Sequence, residues 1–177
     1  MSQTTYQIDP AHSAAHFTVR HMMIANVHGE FSKVSGTFTN DPENPSNSSI
    51  DATIEVASLR TNDPDRDQHL KSPDFFDSEK YQQITFRSKS VTAEDGELVV
   101  RGDLTIHGVT REVTLRVEGP SPEAKDPWGN VRVGATATGK INRKDFGLGW
   151  NVALEAGGVL VGEEVKMSID AQGIKKA

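Results

Sequence analysis

Histidine is the residue type in this sequence best suited to metal binding or acid–base chemistry, and the chain has six. His12 and His16 are four residues apart in a stretch that alternates like a strand. A strand rises by about 3.3 Å per residue, so the two histidines are expected to lie about 13 Å apart. That distance is too long for two ligands of one ion. His21 lies at the opposite parity to His16. The sequence therefore predicts surface or loop histidines and no histidine metal site.

A run of aspartates is the second candidate for chemistry. Asp63, Asp65, Asp67 and Asp74 stand at positions 1, 3, 5 and 12 of a calcium-loop pattern. The match is superficial, because Gln68 stands where that loop needs glycine and aspartate replaces the bidentate glutamate. We interpret these residues as the capped start of a helix. An enzyme or metal protein that uses this acidic segment with a nearby histidine, His69, is kept as a third hypothesis.

Other catalytic arrangements are missing from the sequence. The chain has no cysteine, which removes thiolate nucleophiles, thiolate metal sites and disulfides. Glu163 and Glu164 are neighbours in a predicted strand and point to opposite faces, so they cannot share one proton as a catalytic dyad does. Asp145-Phe146-Gly147 has the letters of a kinase triplet, but no glycine-rich phosphate loop accompanies it. We therefore predict no catalytic residues, no metal and no cofactor.

Length and charge limit the remaining classes of function. With 177 residues the chain is expected to form a single domain, 1–177, large enough for its own core. The net charge of −6 disfavours nucleic acid and anionic membrane surfaces as partners. No apolar run is long enough for membrane insertion. The first residues contain no basic or apolar segment, so we expect a cytoplasmic protein, or a periplasmic one if a leader has been removed.

Alternation of apolar and polar residues dominates the rest of the chain and predicts about eight strands. Their short connections indicate antiparallel neighbours, which could form a two-sheet sandwich or a closed barrel. Small inward residues favour a barrel with room for a guest, although large neighbours could also fill that space. These small residues are Ala52, Gly102, Ala135 and Ala137.

The alternation stops in one stretch, from Ser58 to Phe86. Asp63 is suited to cap a helix that has Pro64 at its first position, and Pro73 ends it. An apolar pair, Phe75 and Phe76, follows before a strand resumes. A short helix and two aromatic residues inside an all-β chain are expected to cover one end of the barrel.

Motifs along the chain resemble those of one known family, the YceI-like proteins, which are polyisoprenoid-binding barrels. Each motif is weak alone, but they occur in the order of the family from about Tyr6 to Ile169. Tyr6 stands where the family often has tryptophan, and Gln82 where it often has proline. The matching motifs are Ile8-Asp9-Pro10-Ala11-His12-Ser13 with Phe17 and His21, Gly29-Glu30-Phe31 with Gly36, Ser58, Thr61, Arg66-Asp67-Gln68-His69-Leu70, Asp74-Phe75-Phe76-Asp77, Ile84-Thr85-Phe86, Gly102 to Arg111, and Asn142-Arg143 with Asp145-Phe146-Gly147-Leu148.

The resemblance implies an all-β fold, a lipocalin-like antiparallel barrel of eight strands with one short α-helix in a long connection. It also implies non-enzymatic binding of a long isoprenoid lipid, such as a polyprenyl phosphate or a quinone, with links to transport, storage or stress. The alternative is a packed barrel that acts as a stress-related interaction module without a ligand in its lumen. A homodimer is left open.

Inward parity and the helical insert together give the candidate ligand-binding residues. We expect Leu70, Phe75 and Phe76 to meet the far end of the lipid chain at a closed, helix-covered end. Arg111 and His21 are the candidates for contact with a polar head group. The full set of lining candidates is Phe17, Val19, Phe38, Ile54, Val56, Leu70, Phe75, Phe76, Phe86, Leu104, Ile106, Val133, Ala135 and Phe146.

Overall fold

The computed structural model describes residues 3–155 and 158–176. These residues form β-strands, one α-helix and short 3₁₀ turns. The helix is α1 (Pro64–Lys71). The strands are β1 (Thr4–Ile8), β2 (Ala14–His21), β3 (Ala25–Phe31), β4 (Val34–Asn40), β5 (Ser49–Glu55), β6 (Leu59–Arg60), β7 (Gln83–Glu94), β8 (Glu97–Ile106), β9 (Val109–Glu118), β10 (Ala124–Lys125), β11 (Val131–Asn142) and β12 (Val161–Lys175).

The strands close into an antiparallel barrel. β12 pairs along one edge with β11, and along the other with β2 and then β1. Three barrel strands are interrupted and are formed by β1 with β2, β3 with β4, and β5 with β6, while β10 only extends the edge of β11. The barrel therefore has eight strands, which confirms the predicted all-β, lipocalin-like architecture with one short helix.

Local sequence signals explain the turns. His107 and Gly108 have φ of 55° and 74°, as the two-residue type I′ turn between β8 and β9 requires. Ser32 and Lys33 form the break between β3 and β4. These turns fix the strand register, which decides the side chains that face the barrel interior.

The helix forms as predicted from its first residues. The Asp63 side chain accepts hydrogen bonds from the backbone nitrogens of Asp65 and Arg66, and Pro64 takes the first helical position. The chain leaves the helix at Ser72, directly before Pro73. In the part of the chain that the structure describes, no helix has both the length and the apolar character to cross a membrane.

The barrel end opposite α1, here called the far end, is filled with large side chains. Tyr6 and Phe38 stack there with ring centroids 5.1 Å apart. Gly173 on β12 makes this possible, because a Cβ atom at that position would lie 2.6 Å from the Phe38 ring. Ion pairs surround the same end, where Arg132 contacts both Asp9 and Asp126 at 2.7 Å.

Candidate functional site

A cavity of about 420 Å³ occupies the half of the barrel that carries α1. Its wall comes from the inward side chains of the barrel strands, from α1 and from the connection between β11 and β12. Apolar atoms make up nearly the whole lining. Such a surface favours a hydrocarbon ligand, since a polar ligand would lose its hydrogen bonds with water and regain few.

The cavity opens beside α1. Arg20 and Asp65 border it and are exposed to solvent, so the cavity reaches the surface near them. His21, Arg66 and His69 also line this region, here called the mouth. The helix thus borders the opening, and our expectation that it covers a closed end is wrong. Contacts between distant segments decide which end of the pore is open, and local sequence patterns do not contain that information.

Side-chain hydrogen bonds to one threonine hold α1 beside the mouth. The Asp67 carboxylate accepts from both the backbone nitrogen and the hydroxyl of Thr61. Arg66 donates through Nε to the Thr61 hydroxyl at 2.8 Å and through a terminal nitrogen to the Thr61 carbonyl at 2.6 Å. No side chain of α1 is fully buried, so these bonds replace the apolar anchoring that most helices use.

Aromatic rings connect the helix to the cavity wall. The His69 ring lies edge-on to Phe75 and to Trp150, with centroids 5.1 and 4.7 Å apart. Phe76 meets Phe31 edge-on at 5.6 Å. These contacts place both aromatic residues of the predicted pair, Phe75 and Phe76, in the lining.

Phe17 extends the aromatic wall from β2. It stands opposite Gly29 on β3, where an added Cβ would overlap the Phe17 ring at 2.0 Å. The missing side chain at Gly29 therefore lets the ring lie flat against the sheet and leave the lumen open.

A buried arginine fixes the connection that forms the other side of the mouth. Arg143 is 3% exposed and donates to the carbonyls of Leu148, Trp150, Val161 and Gly162. Burial lowers the pKa of the Arg143 guanidinium, because charge is disfavoured away from water. Carbonyl dipoles from two chain segments compensate that cost and hold the glycine-rich connection against the barrel.

The structure brings nine of the fourteen candidate residues together in the main cavity. Phe38 and Ala135 instead line a second cavity of about 80 Å³ towards the far end. Val56, Val133 and Phe146 line neither cavity and are buried in the core. The nine that line the main cavity are Phe17, Val19, Ile54, Leu70, Phe75, Phe76, Phe86, Leu104 and Ile106.

The head-group candidates separate in the same way. His21 lines the mouth, whereas Arg111 is exposed on β9 and donates to the Asp145 carbonyl at 3.2 Å, away from the cavity. Arg20 and Arg66 are cations at the mouth that the sequence did not indicate.

Several lining residues were not among the candidates. Ala52, Ile84, Leu115 and the β12 residues have the inward parity that could have identified them. Val27, Trp150 and Leu160 had no such signal. The additional apolar lining residues are Ala15, Val27, Phe31, Ala52, Ile84, Leu115, Ile141, Leu148, Trp150, Leu160, Val161, Val165, Met167 and Ile169.

A shared wall separates the two cavities. Ala52, Phe86, Leu115 and Ile169 line both of them. The Phe86 side chain is 4% exposed and is the largest of the four. The lumen is thus one pore interrupted near its middle.

The acidic segment takes part in scaffold contacts. Asp63 caps α1, Asp67 binds Thr61, and Asp74 pairs with His69 at 3.0 Å. Nowhere in residues 3–155 and 158–176 do three histidine, aspartate or glutamate side chains converge as a metal site requires.

Comparisons with known proteins agree with this geometry. The profile described as "YceI-like domain" matches residues 6–173. A Photorhabdus laumondii protein called UPF0312 protein plu2095 is 43% identical over 143 residues, which are 80% of this chain and 74% of the relative. The crystal structure of Burkholderia cenocepacia BcnA has a TM-score of 0.78 at 26% identity, covering 93% of this chain and 98% of that one.

One further solved structure is a polyisoprenoid binding domain from Saccharophagus degradans, implicated in plant cell wall breakdown. It has a TM-score of 0.70 and covers 98% of this chain and 99% of its own. At 15% identity this likeness shows a shared fold. The profile match spans nearly the whole chain and the barrel has the expected topology, so the protein belongs to the YceI-like family.

Proposed function

We propose that residues 1–177 act as one domain that binds a long-chain isoprenoid lipid, of the polyprenyl phosphate or quinone type, without catalysing a reaction. The observation that carries the proposal is the cavity of about 420 Å³ with its almost wholly apolar lining. Burial of each chain methylene there would contribute about 0.8 kcal/mol. Membership of the YceI-like family, and the fold shared with the polyisoprenoid binding domain from Saccharophagus degradans, support an isoprenoid as the apolar chain.

The lipid would enter with its tail first. Its tail would pass Phe17 and run towards Phe86, and its polar end would stay at the mouth in water. Arg20, His21 and Arg66 border that position and are suited to a phosphate or a quinone carbonyl. A bound lipid held in this way could be carried between membranes or stored.

Extraction of the purified protein with organic solvent, followed by lipid mass spectrometry, tests the proposal. We expect prenyl species in the extract, or stoichiometric uptake when a polyprenol or a prenylated quinone is offered in detergent. Protein that returns no prenyl species and takes up neither compound would contradict it. A straight-chain fatty acid of similar length serves as the control ligand for isoprenoid preference.

The alternative of a packed barrel that acts as an interaction module requires a filled lumen. The far end fits that description, with stacked Tyr6 and Phe38, but the half near α1 does not. A tryptophan placed in the main cavity distinguishes the two, as discussed below.

A further inference from the structure

Exposed apolar side chains cluster at the mouth. Among the described residues, Met22, Met23, Ile24 and Val152 are 44%, 52%, 75% and 47% exposed. Apolar surface of this kind marks a contact site when it is contiguous. We call these four side chains the apolar rim.

Backbone contacts hold the rim together next to the cavity. The Met22 nitrogen donates to the Leu160 carbonyl at 2.7 Å, and the Leu160 nitrogen donates to the Val152 carbonyl at 2.9 Å. Leu160 itself lines the cavity. A Cβ at Gly158 would lie 3.0 Å from Met23, so this connection packs closely on the β2–β3 turn. The rim therefore consists of two adjacent turn tips that border the opening.

The turn between β2 and β3 keeps its methionines at a conformational cost. Met22 and Met23 have φ of 52° and 62°, in the left-handed region where glycine, asparagine or aspartate would be less strained. Strain of this kind is typical of functional positions. Backbone preference would not select methionine at these two positions, so we infer that the apolar side chains themselves have a role there.

Charge is distributed so that the rim is free of acidic residues. The chain carries 25 aspartates and glutamates, yet none occurs from residue 10 to residue 29. That segment carries Arg20 and four histidines, and the facing segment 146–154 has no charged residue at all. The acids that directly flank these two segments are Asp9, Glu30, Asp145 and Glu155. Asp65 on α1 also lines the mouth, and Glu163 on β12 is paired with Lys144. An apolar tip beside a cation and without carboxylates matches a lipid headgroup surface, despite the net charge of −6.

We propose that the apolar rim docks the barrel reversibly onto the surface of a lipid bilayer, with the mouth facing the membrane. This inference rests on the proposed function, because a long isoprenoid is almost insoluble in water and has to be exchanged with a bilayer. A second copy of the chain on the same surface would cover the mouth and block that exchange. The rim inserts only its side chains between the headgroups, so the protein does not span the membrane.

Flotation of the full chain with phosphatidylcholine vesicles, and with vesicles that also contain phosphatidylglycerol, tests the docking itself. The variant replaces two rim residues, Met23→Asp together with Ile24→Asp. Aspartate tolerates the left-handed backbone at position 23, so the fold is retained. We expect vesicle binding to fall at least about tenfold.

The matched control uses the remaining exposed large apolar residue of the described chain. Trp128 is 81% exposed and lies in the connection between β9 and β11 at the far end. Trp128→Asp removes more apolar surface than either rim change, and we expect it to leave vesicle binding unchanged. Equal losses in both variants would overturn the assignment of the mouth as the docking surface.

Uptake of a prenylated quinone separates this inference from the proposed function. Rim substitution should slow uptake from vesicles about tenfold and leave uptake from detergent unchanged. Protein that takes up no quinone from either source refutes the proposed function, while flotation still decides the docking. Docking on a bilayer is wrong if the rim variant floats with vesicles and takes up quinone like the wild type. It is also wrong if the only change, seen by sedimentation, is from a dimer to a monomer.

Discussion

The two halves of this barrel share the same long strands, yet they fill the interior in opposite ways. Near α1 the inward side chains leave about 420 Å³ empty, whereas towards the far end the remaining cavity is about 80 Å³. Stacked Tyr6 and Phe38 occupy the far end. Protein interiors are normally packed with few voids larger than a water molecule. The empty space is therefore a property of one half and is not imposed by the barrel fold.

The halves are also held together differently. At the far end Arg132 bridges two carboxylates, and the Tyr6 hydroxyl donates to Glu123 at 2.8 Å. At the mouth, Arg143 and the bonds between Thr61 and α1 hold the connections in place, and the side chains that line the cavity face empty space. We expect the mouth half to open first, because its lining side chains are not packed against others across the cavity. The three predictions below test that division.

The largest effect is expected from Arg143→Met. The change leaves the carbonyls of Leu148, Trp150, Val161 and Gly162 without their donor. Unsatisfied buried acceptors are costly, so we expect the free energy of unfolding to fall by about 3 kcal/mol. Hydrogen exchange across residues 148–155 and 158–162 should accelerate, and bound lipid should dissociate faster. Urea unfolding and exchange by mass spectrometry measure both effects.

Arg132→Met is the matched control at the far end. After the change Asp9 still accepts hydrogen bonds from Ala11 and His12, and Asp126 still accepts from Trp128 and Asn130, so the loss of stability should be smaller than with Arg143→Met. Lipid retention should be unaffected. The division of the barrel into a binding half and a packed half would be refuted by an equal loss of lipid in both variants.

A tryptophan in each half gives the next largest contrast. Ala15 lines the main cavity and Ala135 the small one. Ala15→Trp should fit into empty space and abolish lipid uptake, and it should lower the free energy of unfolding by less than about 1 kcal/mol. Ala135→Trp should overpack the far half, lower the free energy of unfolding by about 1–3 kcal/mol and leave lipid uptake unchanged. Urea unfolding and quinone titration measure the pair. A severe loss of stability with Ala15→Trp would indicate a lumen that is already packed, as the interaction-module alternative requires.

Local patterns predicted the strands, because the period of two in a half-buried strand is set by neighbouring residues, whereas the resemblance to a family implied the closed barrel. The sequence signals for the helix start at Asp63 and Pro64 also lie in neighbouring residues. The same is true of the turn at His107 and Gly108. Ile54 and Leu104, which were chosen by inward parity, lie in the cavity lining.

Parity failed where the strand ended or where the chain was irregular. Val56 continues the alternation of β5, but it begins a 3₁₀ turn and packs in the core. Arg111 shares inward parity and is nevertheless exposed near the hairpin. Trp150 and Leu160 reach the lining from an irregular connection, which Arg143 contacts through the Trp150 carbonyl. The position of the mouth depends on how distant segments meet, and no local pattern records it.

Acid should affect the far half through Asp9 and Asp126, with the smallest effect of the three. Hydrogen bonds from Arg132 lower the pKa of both carboxyls to about 2. Because their pKa in the unfolded chain is about 3.9, the folded state binds fewer protons between these values. The stabilisation is therefore complete above about pH 4 and is lost as the pH falls towards 2. Urea unfolding across that range should show a steady decrease.

Asp9→Asn shows whether this slope comes from the far half. The variant removes one of the two depressed carboxyls, so the decrease in stability between about pH 4 and pH 2 should become shallower than in the wild type. Arg132→Met should flatten it further, since both carboxyls then lose the donor that lowers their pKa. Identical slopes in all three proteins would mean that the acid sensitivity arises outside this network. In that case the far half would not be the electrostatic anchor of the barrel.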